Sequence, residues 1–145
     1  MQTTLKEVRL VEKIIKNDVV KEKTIKNLYK HIFKSNGKKI RSKLNLIASS
    51  ANRKKKDRIK LAAIIELLHT ATLVHDDVVD DSSFRRGKES VNKLWSNAHG
   101  VLIGDYIYSK AFMYMVDIGN QEIINELSRA TNDISQGELI QLDAI

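Results

Sequence analysis

Four carboxylates, Asp76, Asp77, Asp80 and Asp81, fall within six residues of a segment that is otherwise apolar. His69, Asp76 and Asp80 stand at i, i+7 and i+11 and so share one stripe of a helix. Asp76 and Asp80 are one turn apart, which puts their Cβ atoms roughly 5–6 Å from each other. Two bare carboxylates at that separation repel by about 3 kcal/mol at an effective dielectric near 20. A divalent cation removes the repulsion, and a hard all-oxygen donor set without cysteine suits Mg²⁺, which keeps substrate phosphates in its shell. The plainer alternative, solvated acids at the end of a helix, is opposed by the helix dipole, which disfavours acids there. The alternating ligands and central glycine of a calcium loop are absent from this stretch.

Two basic groups have the placement to complement the acids. Gly37-Lys38-Lys39-Ile40-Arg41 sits at an expected helix start, with Lys38 and Arg41 at i, i+3 beside N-terminal amides. Taken alone, it reads first as a solvated helix end. Arg85-Arg86 follows Asp80 within one loop, and its plainer alternative is a salt bridge back to Asp81. Together they provide cations for one diphosphate beside a carboxylate–metal site for another.

The element that must carry the acids is a helix over roughly 57–80. Leu61, Ile64, Ile65, Leu68, Ala71 and Thr72 repeat at helical spacing, and Leu67, Leu73, Val74, Val78 and Val79 make most of the remaining circumference apolar. Such a helix belongs in a core. Around it the spacing predicts helices over 3–16, 19–34 and 39–51, a charged loop at 52–57 and a loop at 81–88. A short helix follows over 90–96, a long one from His99 to a break at Asp117–Asn120, and a last one from Gln121. Gly100 and Gly104, i and i+4, mark a close approach. The pattern is an all-α helical bundle with short loops.

Composition limits the remaining classes. The 145 residues contain no proline, no cysteine and six glycines, which disfavours an all-β fold and excludes disulfides. No apolar run is long enough to span a membrane, and Met1–Val8 lacks the apolar core of a signal peptide, so a cytoplasmic protein is expected. A net charge of +7 favours anionic partners. The basic run at 53–56 has no interleaved aromatics, so nucleic acid is not expected.

These motifs resemble the trans-polyprenyl diphosphate synthase family, and the likeness is greatest to long-chain bacterial enzymes of the octaprenyl type. His75-Asp76-Asp77-Val78-Val79-Asp80 with Arg85-Arg86-Gly87-Lys88 resembles the family's first aspartate-rich motif and its trailing RRG. Asn36–Arg41 resembles its GGKRLRP motif, Leu102–Phe112 its GD…AF helix, and Gly137-Glu138 with Gln141 its next motif-bearing helix. Asn36, Lys39, Ser42 and Ser96 depart from the pattern.

The resemblance implies the N-terminal part of the isoprenoid synthase fold and prenyl transfer from an allylic diphosphate to isopentenyl diphosphate. It implies Mg²⁺ on Asp76 and Asp80, the allylic diphosphate on Arg85, and isopentenyl diphosphate on Lys38, Arg41, His69 and Arg86. It assigns no residue to proton transfer or covalent catalysis. For His69 a core histidine is the alternative; His75 is expected to be structural, and Lys88 and Gln141 to pack or be solvated. A small Ala71, five residues before the motif, implies an open product tunnel. The family's second aspartate-rich motif does not occur in these residues, so residues 1–145 are expected to form a partial domain lacking the C-terminal half and to be inactive alone. Expected partners are a second copy, a C-terminal half or a second subunit, with membrane contact only through a lipid product. The alternative function is a non-catalytic subunit of a complete synthase.

Overall fold

The computed structural model describes residues 2–16, 21–34 and 55–144. The expected helix over 39–51, with Lys38 and Arg41, lies outside them. Among the described residues the elements are α1 (Gln2–Lys16), α2 (Lys23–Ile32), α3 (Lys55–Val79), a hairpin of β1 (Phe84–Arg85) and β2 (Lys88–Glu89), α4 (Val91–Leu94), α5 (Asn97–Ile118) and α6 (Gln121–Asp143). The fold is the all-α architecture the periodicity calls for. None of these helices is long and apolar enough to cross a membrane.

α3 is the central element, packed mainly on α5 and, on another side, on α1. Its buried stripe runs Leu61, Ile64, Leu67, Ala71, Val74 and then Asp77, at steps of three and four. The stripe through Ile65, His69, Thr72 and Asp76 is only half-buried, and Asp80 beyond it is exposed. One helix therefore sends its apolar stripe into the core and the stripe of His69, Asp76 and Asp80 to the rim.

The C-terminal carbonyls of α1, which have no partner inside their own helix, are met by other elements. Tyr29 and Lys110 both donate to the Ile15 carbonyl, and Tyr114 donates to that of Ile14 at 3.1 Å. Lys110 lies 5.0 Å from the Tyr29 ring centroid. Burial pushes the Tyr29 phenol well above its usual range. A buried Arg58–Glu7 ion pair joins α3 to α1.

Helix ends follow side-chain chemistry. The Ser96 hydroxyl accepts from the His99 amide at 3.1 Å, so α5 begins at Asn97, two residues before the expected start. Gly119 ends it at φ +68°, and the Asn120 side chain then caps α6 by accepting from the Ile123 amide.

Residues 81–88 depart from the expected loop. Arg86 at φ +52° and Gly87 at φ +78° make a two-residue turn, and Arg85 pairs with Lys88 across an antiparallel ladder. Two successive positive φ angles match the right-handed twist of a tight hairpin. The hairpin base is tied down by Ser90 and Asn92, which donate to the Ser82 carbonyl at 2.6 and 2.9 Å.

Candidate diphosphate and metal site

The site is assembled where α3 ends. The Asp80 amide still bonds to the Asp76 carbonyl at 2.8 Å, so helical geometry carries Asp80 one turn beyond Asp76 although the regular helix stops at Val79. Asp81 turns off at φ +52° and is exposed. The aspartates thus divide, with Asp76 and Asp80 on the rim, Asp77 buried and Asp81 leading into the hairpin.

Asp77, 5% exposed, accepts two hydrogen bonds from Arg85, Nε to Oδ2 at 3.1 Å and Nη2 to Oδ1 at 2.7 Å. The plainer partner expected for the arginines was Asp81. The buried stripe instead puts Asp77 where a carboxylate needs a cation. The Asp77 hydrogen bonds hold the Arg85 guanidinium above its usual range, with the charges of Asp76 and Asp80 adding to the effect. Arg86 is exposed at the turn. Lys88 Nζ and Asn92 Oδ1 are buried without a hydrogen-bond partner.

α6 brings a further acid. Burial pushes the Glu138 carboxyl above its usual range, and a hydrogen bond with Asp76 and repulsion from Asp76 and Asp80 push it further. Glu138 was visible in the sequence only as part of a motif-bearing helix. Its pairing with Asp76 depends on the angle between α6 and α3.

His75 locks α3 to α5. Its Nε2 donates to the Val101 carbonyl at 3.0 Å and lies 3.3 Å from Asp105 Oδ1. A Cβ on Gly104 would collide with this imidazole, and one on Gly100 would come within 2.6 Å of Val78. The expected close approach at the two glycines is present, and His75 is the ring that requires it.

Below the acids lies a cleft of about 720 Å³ between α3, α5 and α6. Thr72 and His75 form its α3 wall, Tyr108, Phe112, Met113 and Val116 with Asp105 and Ser109 its α5 wall, and Glu138 joins from α6. The Thr72 hydroxyl donates to Leu68 O, so the Tyr108 hydroxyl donates to Thr72, both at 2.9 Å. On α6, Thr131 and Ser135 turn their hydroxyls back onto their own helix, to Leu127 and Thr131 carbonyls. The cleft therefore meets mostly hydrocarbon. Ala71 is fully buried in the core and does not line it, whereas Thr72 does.

His69 is half-buried on the Asp76 stripe and engaged in contacts. Among the described residues no three His, Cys, Asp or Glu side chains close on one point as a metal cage. Two carboxylates one turn apart fit a cation whose remaining ligands are waters and phosphate oxygens, which is how Mg²⁺ is usually held.

The polyprenyl synthetase family model matches residues 22–145. The chain belongs to the polyprenyl synthetase family. Among its relatives is the all-trans-nonaprenyl-diphosphate synthase (geranyl-diphosphate specific) of Rhodobacter capsulatus, 43% identical over 83% of this chain and 38% of the relative. The octaprenyl diphosphate synthase of Escherichia coli K12 is 42% identical over 81% of this chain and 37% of the relative. A crystal structure of a Caulobacter crescentus polyprenyl synthase, complexed with calcium and isoprenyl diphosphate, superposes with a TM-score of 0.90 at 34% identity. It is matched over 97% of this chain and 44% of that one. The chain thus has the all-α isoprenoid synthase fold of this polyprenyl synthetase family and spans well under half the length of these relatives.

Proposed function

We propose that this chain provides the diphosphate-binding and chain-accommodating part of a trans-polyprenyl diphosphate synthase. The reaction joins isopentenyl diphosphate to an allylic diphosphate and lengthens the isoprenoid chain. The observation that carries this reading is a paired acid rim, Asp76 and Asp80, directly above an apolar cleft of about 720 Å³. A molecule with a multiply charged head and a long hydrocarbon tail fits both parts at once.

Asp76 and Asp80 would hold Mg²⁺. The bound ion supplies charge neutralisation that helps diphosphate leave. Arg85 donates to the allylic diphosphate, and Arg86, His69, Lys38 and Arg41 take isopentenyl diphosphate. The α5 wall, Tyr108 to Val116, would line the path of the growing tail. The calcium and isoprenyl diphosphate of the Caulobacter relative support this class of ligand. The cysteine-free composition suits a cytoplasmic protein.

A second reading, a non-catalytic subunit, is favoured by one observation: α6 exposes Ile134, Leu139, Ile140 and Leu142. A second copy, a C-terminal half or a complete synthase would cover them. The test is calorimetry of the chain with farnesyl thiodiphosphate, with and without Mg²⁺. Metal-dependent binding that requires Asp76 and Asp80 is expected, and metal-independent binding would refute the reading.

A further inference from the structure

Asp77 stands in the aspartate-rich stretch, yet both its carboxylate oxygens are occupied by one guanidinium. The pairing uses Nε and one N–H of Nη2. Of the five N–H donors of an arginine, three remain, on the edge facing away from Asp77. The Arg85 side chain is 39% exposed and lies within the electrostatic reach of Asp76 and Asp80. Asp77 itself is rigid. Its side chain is 6% exposed, and its carbonyl accepts from the Ser82 amide at 2.9 Å and from Asn92 at 3.3 Å.

We infer that Asp77 is a positioning residue rather than a metal ligand. Its carboxylate clamps Arg85 through two parallel hydrogen bonds, so that the free edge of the guanidinium is fixed beside Asp76 and Asp80 before a diphosphate arrives. The inference rests on the reading that Arg85 meets a diphosphate. A planar fork held on one edge presents its other edge in a single orientation, whereas a free arginine must lose rotamer entropy on binding. The hairpin fixes the Arg85 backbone, and the Asp77 carboxylate fixes its guanidinium. A metal ligand must reach the cation, and the Asp77 carboxylate, 6% exposed and turned to Arg85 through both oxygens, lies on the buried stripe away from the rim.

The test uses the 145-residue chain, with inorganic pyrophosphate and Mg²⁺ as the calorimetric probe and ¹⁵N NMR of arginine Nε–H groups as the structural readout. The parent should show a protected Arg85 Nε–H without ligand. Asp77→Asn should abolish that signal and weaken pyrophosphate binding about tenfold or more, and Asp77→Glu should recover part of both. Arg85→Lys should weaken binding similarly, and the double variant no further than either single one. The inference is overturned if Asp77→Asn lowers only the melting temperature, leaving the Nε–H signal and pyrophosphate affinity intact, or if the two losses add. If Arg85→Lys binds as the parent does, the functional reading of Arg85 fails, and the inference with it.

Discussion

Asp76 and Asp77 are adjacent in sequence and opposite in surroundings, because one residue of helix is a rotation of about 100°. Asp76 stays on the rim with Asp80, while Asp77 continues the buried stripe from Val74 and takes Arg85. If the rim pair holds the cation, Asp76→Ala and Asp80→Ala should each weaken Mg²⁺-dependent binding of an allylic diphosphate analogue at least about tenfold, or 1.4 kcal/mol. Asp81→Ala should change it little. Calorimetry decides this, and equal losses at the three positions would reject the stripe. Glu138 adds a pH dependence with a definite sign. Its carboxyl is raised, so between the ordinary glutamate value and the raised one the folded chain holds a proton that the unfolded chain has released. Stability therefore falls as pH rises through that window. Glu138→Gln removes the effect. Its melting temperature relative to the parent should increase as pH rises above the ordinary glutamate value in metal-free buffer. A gap that stays constant over that rise would show that Glu138 is not strained by its neighbours.

At the scale of elements, α3 and α5 cross closely because Gly100 and Gly104 admit Val78 and His75. Gly104→Ala places a methyl group inside the imidazole and should cost about 1–3 kcal/mol, the usual range for overpacking. The cost should shrink when combined with His75→Ala, as measured by urea denaturation. Most of this architecture was legible beforehand, because helical periodicity, Ser96, Gly119 and Asn120 act locally along the chain. The glycine pair was legible as a close approach, but not as a seat for His75, since its partner is 29 residues away. The hairpin was missed because four strand residues carry no periodicity, and only the Arg86-Gly87 turn could have signalled it. Ala71, five residues before the motif, does not line the cleft. It points into the core, and the neighbouring Thr72 points into the cleft. In a complete enzyme built on this chain, Thr72→Phe should therefore shorten the products by filling the cleft. Ala71→Phe should instead overpack the core and lower stability. Product chromatography and thermal melts separate the two. An unchanged product distribution for Thr72→Phe would mean the growing tail follows another path.

At the scale of the molecule, the acid rim is one-sided and the cleft is walled but not closed. Cleavage of an allylic diphosphate separates an allylic cation from a leaving group of high negative charge, and catalysis requires that charge to be stabilised by preorganised groups around it. Among the described residues no third ligand closes the metal site, and Asp76 and Asp80 approach from α3 alone. The cleft has walls on α3, α5 and α6, while Leu139 and Ile140 of α6 stand 65% and 71% exposed. Apolar side chains at such exposure favour association. The 145 residues, assayed as they stand, should therefore bind a diphosphate with Mg²⁺ and associate, yet give no measurable prenyl transfer. Supplying separately expressed residues corresponding to the remaining length of a full synthase should restore turnover if they dock on α6. Ile140→Lys should abolish the restoration without weakening diphosphate binding by the chain itself. The measurement is incorporation of radiolabelled isopentenyl diphosphate onto farnesyl diphosphate, with and without the added counterpart. Sustained Mg²⁺-dependent elongation by the 145-residue chain alone would show instead that these residues stabilise the leaving group by themselves, and would require a second metal-binding carboxylate set within this sequence.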